Sequence, residues 1–240
     1  MTVAVAAPVV MLEPASSTPV VDAVEVETVL QDAECYWLHG ALSLSEQITL
    51  FEFIKDHDRT DWDNLPVCMN PTPKTLQFAD GADGGATTPT LTFNCGTGTE
   101  TFASEAVCRV ARILHRRSLL LASQPPPEPV SFSLAAIRYP SPDGRFPRHV
   151  DHCNDGSVVF LFSLGCHARF RVEARTTEGS SSLELELRSG DVLAFNPSTR
   201  AAIAHEVAGI GGKESCPSAL GERFDELRKF RYGIQCRVHF

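Results

Sequence analysis

From Val130 to Phe240 the chain is a succession of short extended runs broken by turn residues, and this rhythm constrains the fold more than any other feature. Candidate strands cover 132–139, 148–152, 157–163, 168–174, 183–187, 192–195, 203–207 and 231–240. Leu183, Leu185 and Leu187 alternate with Glu184 and Glu186, the period of two that marks a strand with one buried face. Gly179 and the serines after it read as the loop leading into that strand. Many short strands joined by polar turns specify a sandwich or barrel. The expected class is mainly β with flanking helices, an α+β arrangement.

Helices are expected in the first half. Ser43-Leu-Ser-Glu46 has the spacing of a capping box, and Leu44, Ile48, Phe51 and Ile54 recur at helical intervals after it. A second helical pattern covers 101–120, with Ala106, Val107, Val110, Ile113 and Leu114 on one side and Arg109, Arg112 and Arg116 elsewhere. Those arginines read either as a ridge facing phosphates or as a solvated face. Gln124-Pro-Pro-Pro-Glu-Pro129 ends the pattern, because consecutive prolines cannot continue a helix. Residues 1–31, interrupted by Pro8, Pro14 and Pro19, read as a flexible acidic N-terminal segment. Residues 32–240 read as one domain, since 240 residues with 43% hydrophobic content supply one good core. Within it, 62–101 is rich in Gly, Pro and Thr, and 209–221 reads as a Gly- and Ser-containing insertion before the last strand.

Chemistry concentrates in the β-rich half. His149 and Asp151 are two apart on an expected strand, so both face one side while Val150 turns away. With a distant third ligand, such a pair gives two imidazoles and one carboxylate, the set that holds Fe(II) on one face and leaves the other open. Chance supplies about 0.4 His-x-Asp pairs in a chain of this composition, so the pair alone is weak. The ordered features after it carry more weight: the apolar run 157–164, the turn Arg188-Ser-Gly-Asp191, His205, and Arg231 and Arg237 six residues apart on one side of the last strand.

In this order the sequence resembles the AlkB family of Fe(II) and 2-oxoglutarate dependent dioxygenases. The matching pieces are Arg138-Tyr139, His149-Val-Asp151, Phe162-Ser-Leu-Gly-Cys166, Leu187-Arg-Ser-Gly-Asp-Val192, His205 and the terminal Arg231 and Arg237. The resemblance implies a double-stranded β-helix (jelly roll) core over about 130–240 and a substrate lid over about 62–101. It implies His149, Asp151 and His205 as catalytic iron ligands, and 2-oxoglutarate and dioxygen as co-substrates. Arg231 would pair with the far carboxylate of 2-oxoglutarate, Tyr139 would hydrogen-bond the same group, and Arg237 would lie nearer the metal. The implied reaction is oxidative demethylation of N-methylated nucleobases in DNA or RNA, releasing formaldehyde and succinate. A protein methyl-lysine demethylase of the same chemistry, or a non-catalytic jelly-roll binding module, are the alternatives. Three positions depart from the family pattern: Ile137 and Gly233 stand where Asn is common, and Cys153 stands where repair-type members carry an acid, with Asp155 a stand-in. A base removed from a stack is held between aromatic side chains, so Trp62, Phe78 and Phe93 are the substrate candidates in the lid.

The net charge of −9 is unevenly spread. Residues 1–108 hold 3 basic and 16 acidic side chains, and 109–240 hold 18 and 14, so the catalytic half is the basic half at +4. That asymmetry is compatible with a methylated nucleic acid, single-stranded or locally opened, as substrate, with Arg145 and Arg148 as phosphate contacts. The first basic side chain is Lys55, so a secretory or mitochondrial targeting signal is not evident, and cytoplasm or nucleus is the expectation. No apolar run reaches membrane-spanning length, and a monomer is expected. Eight Cys without a Cys-x-x-Cys spacing read as reduced, buried residues.

Overall fold

The computed structural model describes residues 24–30, 34–57, 74–79, 90–94, 99–103, 131–151, 157–176, 179–197 and 203–239. Its strands are β1 (Glu25–Leu30), β2 (Cys35–His39), β3 (Lys74–Ala79), β4 (Thr90–Asn94), β5 (Thr99–Ala103), β6 (Ser131–Pro140) and β7 (Phe146–Val150), followed by β8 (Ser157–Gly165), β9 (Ala168–Thr176), β10 (Gly179–Leu187), β11 (Val192–Phe195), β12 (Ala204–Ile210) and β13 (Phe230–His239). Helix α1 spans Leu44–His57, and α2 (Ser218–Arg223) and α3 (Glu226–Lys229) precede the last strand. One sheet has the order β1-β2-β11-β8-β13-β6-β3-β4-β5 and the other β10-β9-β12-β7, with antiparallel pairing throughout. The fold is mixed α/β, dominated by these antiparallel sheets, with helices on the flank. No helix among the described residues is long and apolar enough to cross a membrane.

The larger sheet sorts its side chains by parity. Along β13, Tyr232 and Ile234 are fully buried on the face that meets the helices, where Phe51 of α1 lies edge-on to Tyr232 at 5.3 Å and to Phe224 at 4.8 Å. On β8 the matching residues are Phe160, Phe162 and Leu164, buried in the same core. The odd-numbered residues point the other way. Register pairs Arg231 with Tyr139 and Gly165, Gly233 with Ile137 and Ser163, and Gln235 with Leu161, so these share the face that looks toward the smaller sheet. β11 is buried on both faces and accordingly lacks alternation.

Local signals explain the ends. Glu46 accepts from the Ser43 backbone N–H at 2.7 Å and Ser43 Oγ accepts from the Glu46 N–H at 3.3 Å, the reciprocal cap expected for α1. Leu44, counted in its apolar stripe, is 44% exposed. The turn before β11 closes on Asp191. Its carboxylate accepts from Arg188 N–H (2.8 Å), Gly40 N–H (2.8 Å) and Trp37 Nε1 (3.1 Å), tying β2 to the turn. Gly190 has φ +92 there, and a Cβ would lie 2.7 Å from Gln47 Nε2.

Three expectations are corrected. The helix expected from 101 does not begin there: Thr99–Ala103 is β5, held by its ladder with β4, and 104–120 lie outside the described residues. Gly179 opens β10 instead of a loop, because Gly179 to Leu187 pair continuously with β9. The stretch 209–221, expected as an insertion, is instead taken up by regular elements: it ends β12, makes a short 3-10 turn at Lys213–Ser215 and starts α2. β3, β4 and β5 extend the larger sheet beyond β6, and the rest of the expected lid lies outside the described residues. Cys35, Cys166 and Cys216 are buried free thiols.

Candidate metal centre

A cavity of about 40 Å³ lies between the sheets. Ile137 and Tyr139 of β6, Val159 and Leu161 of β8, Phe195 of β11 and Gln235 of β13 form one wall. Phe146 and His149 of β7, Phe170 of β9, and His205 and Val207 of β12 form the other. The lining is apolar except for Tyr139, Gln235 and the two imidazoles.

β7 and β12 set His149 directly opposite His205, with ring centroids 4.2 Å apart. Asp151 follows the last residue of β7, and the donor atoms of His149, Asp151 and His205 all lie within 4.8 Å of one another. Nδ1 of His149 lies 2.9 Å from the Pro147 carbonyl, which only accepts, so Nδ1 carries a proton and Nε2 is the nitrogen left to bind a metal. Nε2 faces Asp151 Oδ1 at 3.5 Å. A proton on Nε2 can bridge the two, and that hydrogen bond to Asp151 raises the His149 pKa, against the effect of burial; a metal ion bound here would replace that proton.

His205 is 7% exposed, stacked near Phe170 and beside Phe195. Burial pulls its pKa down to about 4, and His149 adds to the fall. The imidazole is therefore neutral at physiological pH, the form that ligates. Its buried Nδ1 has no hydrogen-bond partner. A bound cation is one of the few things that satisfies a donor set of this kind in apolar surroundings, and two neutral imidazoles with one carboxylate suit a divalent first-row metal.

Arg231 lies on the cavity-side face of β13 and is only 1% exposed. Nη1 donates to the Cys166 and Leu187 carbonyls, both at 3.2 Å, and Nη2 donates to Ser163 Oγ at 2.7 Å. All three acceptors are neutral, and burial lowers its pKa to about 10. Tyr139 is its register partner. Arg237 pairs with Val159 and Ser133 through its backbone; its side chain lies outside the described residues.

Residues 34–237 match the signature of the 2OG-Fe(II) oxygenase superfamily. The chain belongs to that superfamily. No curated protein sequence matches this superfamily member. The solved structure of OsALKBH1 is similar at a TM-score of 0.56 and 18% identity, covering 90% of this chain and 100% of that one. A prolyl-4-hydroxylase from Pseudomonas putida matches at a TM-score of 0.46 and 14% identity, over 86% of this chain and 92% of that one. A prolyl hydroxylase from Trichoplax adhaerens, solved with a peptide fragment of a hypoxia inducible factor degradation domain, matches at 0.45 and 13%, over 86% and 84%. As a member of this superfamily the chain carries the catalytic potential of an Fe(II)/2-oxoglutarate-dependent oxygenase, with His149, Asp151 and His205 as its candidate metal triad.

The other sequence candidates scatter. Phe78 and Phe93 lie on β3 and β4, where their backbones pair with Leu91 and Leu76. Their side chains, and all of Trp62, Asp155 and Cys153, lie outside the described residues. Arg145 is exposed, whereas Arg148 donates to Glu173 and pairs with it at 3.0 Å. Ile137 and Gly233, two of the departures from the AlkB pattern, are register partners and so amount to one local change in the cavity wall. Sequence reasoning missed Gln235, Ser163 and Phe195. Parity with Arg231 could have flagged Gln235, and Ser163 sat inside a quoted motif without a role.

Proposed function

We propose that this protein is an Fe(II)- and 2-oxoglutarate-dependent oxidative demethylase of N-methylated nucleobases, formed by residues 32–240 with the two sheets as halves of a double-stranded β-helix. The observation that carries the enzymatic part is the triad itself, with His149 Nε2 facing Asp151 Oδ1 at 3.5 Å and a buried, unpartnered His205 nitrogen beside them. His149, Asp151 and His205 would hold the metal. Bound there, Fe(II) supplies the coupling of dioxygen activation to oxidative decarboxylation of 2-oxoglutarate. Arg231 supplies the far-carboxylate anchor: it is a buried guanidinium whose hydrogen bonds among the described residues go to neutral oxygens, and a carboxylate is the partner that offsets its desolvation. The apolar walls from Phe146, Leu161, Phe170 and Phe195 exclude bulk water from the reacting groups.

The nucleobase substrate is supported by the resemblance in the motifs and by the basic balance of 109–240. OsALKBH1 shares the fold. The test is a formaldehyde-release screen over methylated DNA, RNA and peptide substrates, run beside succinate formation. Release from methylated oligonucleotides, lost in His149→Ala and Asp151→Ala, is the expected result. Release from methylated peptides alone reassigns the substrate to protein, and absence of 2-oxoglutarate turnover leaves a binding module.

A further inference from the structure

Asp151 follows Val150, the last residue of β7. Its carboxylate is held from the opposite sheet. Gln235, which lines the cavity from β13, places its Nε2 3.0 Å from Asp151 Oδ2. A carboxylate only accepts, so the amide NH2 must face it. The other oxygen, Oδ1, is the one that faces His149 Nε2 at 3.5 Å. The two oxygens are thus divided, one toward the imidazole and one toward Gln235.

We propose that Gln235 is a positioning residue of the metal centre, which holds Asp151 to one-oxygen coordination by occupying Oδ2. This rests on the reading of the triad as a metal site. β13 can do this because it is an interior strand. Gln235 is paired with Leu161 on one side and Ala135 on the other, so its backbone is fixed from both flanks. A carboxylate left free to turn can chelate with both oxygens and take a coordination position that a chelating oxo acid and dioxygen need. The choice of a neutral donor matters. A Lys or Arg at this position would neutralise the ligand and compete with the ion for its charge, whereas an amide orients the carboxylate and leaves its negative charge to the metal. The strand's parity then gives one face two separate tasks, Arg231 as the anchor and Gln235, four residues on, as the clamp.

The experiment is titration of Mn(II) alone into metal-free protein by calorimetry, with visible absorption of the Co(II)-loaded protein as the second readout. Gln235→Met keeps length without a donor, and Gln235→Leu is a second replacement, so that the result does not hang on one variant folding. The dissociation constant for Mn(II) is expected to rise about 10- to 100-fold, the usual effect of losing a group that orients a metal ligand. The Co(II) band should also change as Asp151 turns, while the metal-free variants unfold cooperatively. A folded variant that binds Mn(II) within about twofold of the native protein, or one that loses affinity with an unchanged Co(II) spectrum, overturns the assignment and leaves Gln235 a lining residue. Failure of the native protein to bind Mn(II) removes the metal centre itself and the clamp with it.

Discussion

Arg231 and His205 show how far single residues carry the argument. Replacing Arg231 by Lys keeps a charge but loses the planar fork, so 2-oxoglutarate binding should weaken by about 1.5 to 3 kcal/mol while Mn(II) binding survives. Calorimetric titration of 2-oxoglutarate into the Mn(II) form measures this, and unchanged affinity would place the anchor elsewhere, with Arg237 next. For His205 the sign follows from its pKa of about 4, set by burial first. An unfolded histidine titrates near 6.5, so between about pH 6.5 and 4 the unfolded chain takes a proton that the native fold refuses. Stability of the metal-free protein should fall as pH drops through that window. His149, whose pKa moves up, gains its stabilising proton above about pH 6.5, so its contribution is already complete in this window and leaves the slope to His205. Urea midpoints across this range should decline less steeply in His205→Leu, and an identical decline excludes His205 as the cause. At this scale the sequence was most legible where one residue type has few uses: a His-x-Asp pair and a terminal Arg invite a specific chemistry. Gln235 carried no such signal, because a glutamine gains a role only from what faces it across a cavity.

Among the elements, the turn Arg188-Ser-Gly-Asp191 does more than reverse the chain. Its buried aspartate receives three donors, and Ser189 Oγ donates to Gln47 of α1 while accepting from the Gly165 N–H, so the turn joins helix to sheet. Asp191→Asn should cost roughly 2 to 3 kcal/mol, since it weakens charge-assisted bonds in a buried site and turns one acceptor into a donor. Chemical denaturation gives the number; a loss under about 0.5 kcal/mol would mean the turn is held by its backbone alone. The strands 192–195 and the capped start of α1 were legible because local pattern and tertiary use agree. Gly179 and Thr101–Ala103 were not, because pairing with β9 and β4 overrode composition that favoured a loop and a helix.

For the whole molecule the question is what the basic half faces. The solvent side of the smaller sheet is an ion-pair lattice, with Arg171 between Glu184 and Glu206, and Arg148 on Glu173. Arg148 is therefore already spent on a neighbour, whereas Arg145 has no ion-pair partner among the described residues. On the nucleic-acid reading, Arg145→Gln should flatten the salt dependence of binding to a methylated single-stranded oligonucleotide by about one unit, and Arg148→Gln should leave it nearly unchanged. Fluorescence anisotropy at several salt concentrations decides it; equal effects of the two variants would put the strand across the outer sheet.

The alternation along β13 also limits how this chain can change. A substitution on one side of the strand perturbs either the helix-facing core or the cavity, and each can be compensated locally. A single inserted or deleted residue in the middle of the strand does not have that freedom. It would send Gln235 into the aromatic layer under α1 and bring an apolar residue to the candidate metal triad, so folding and the site would be lost in the same step. A two-residue change restores the phase. The strand behaves like a message read in doublets, and only even shifts in its length leave the text intelligible.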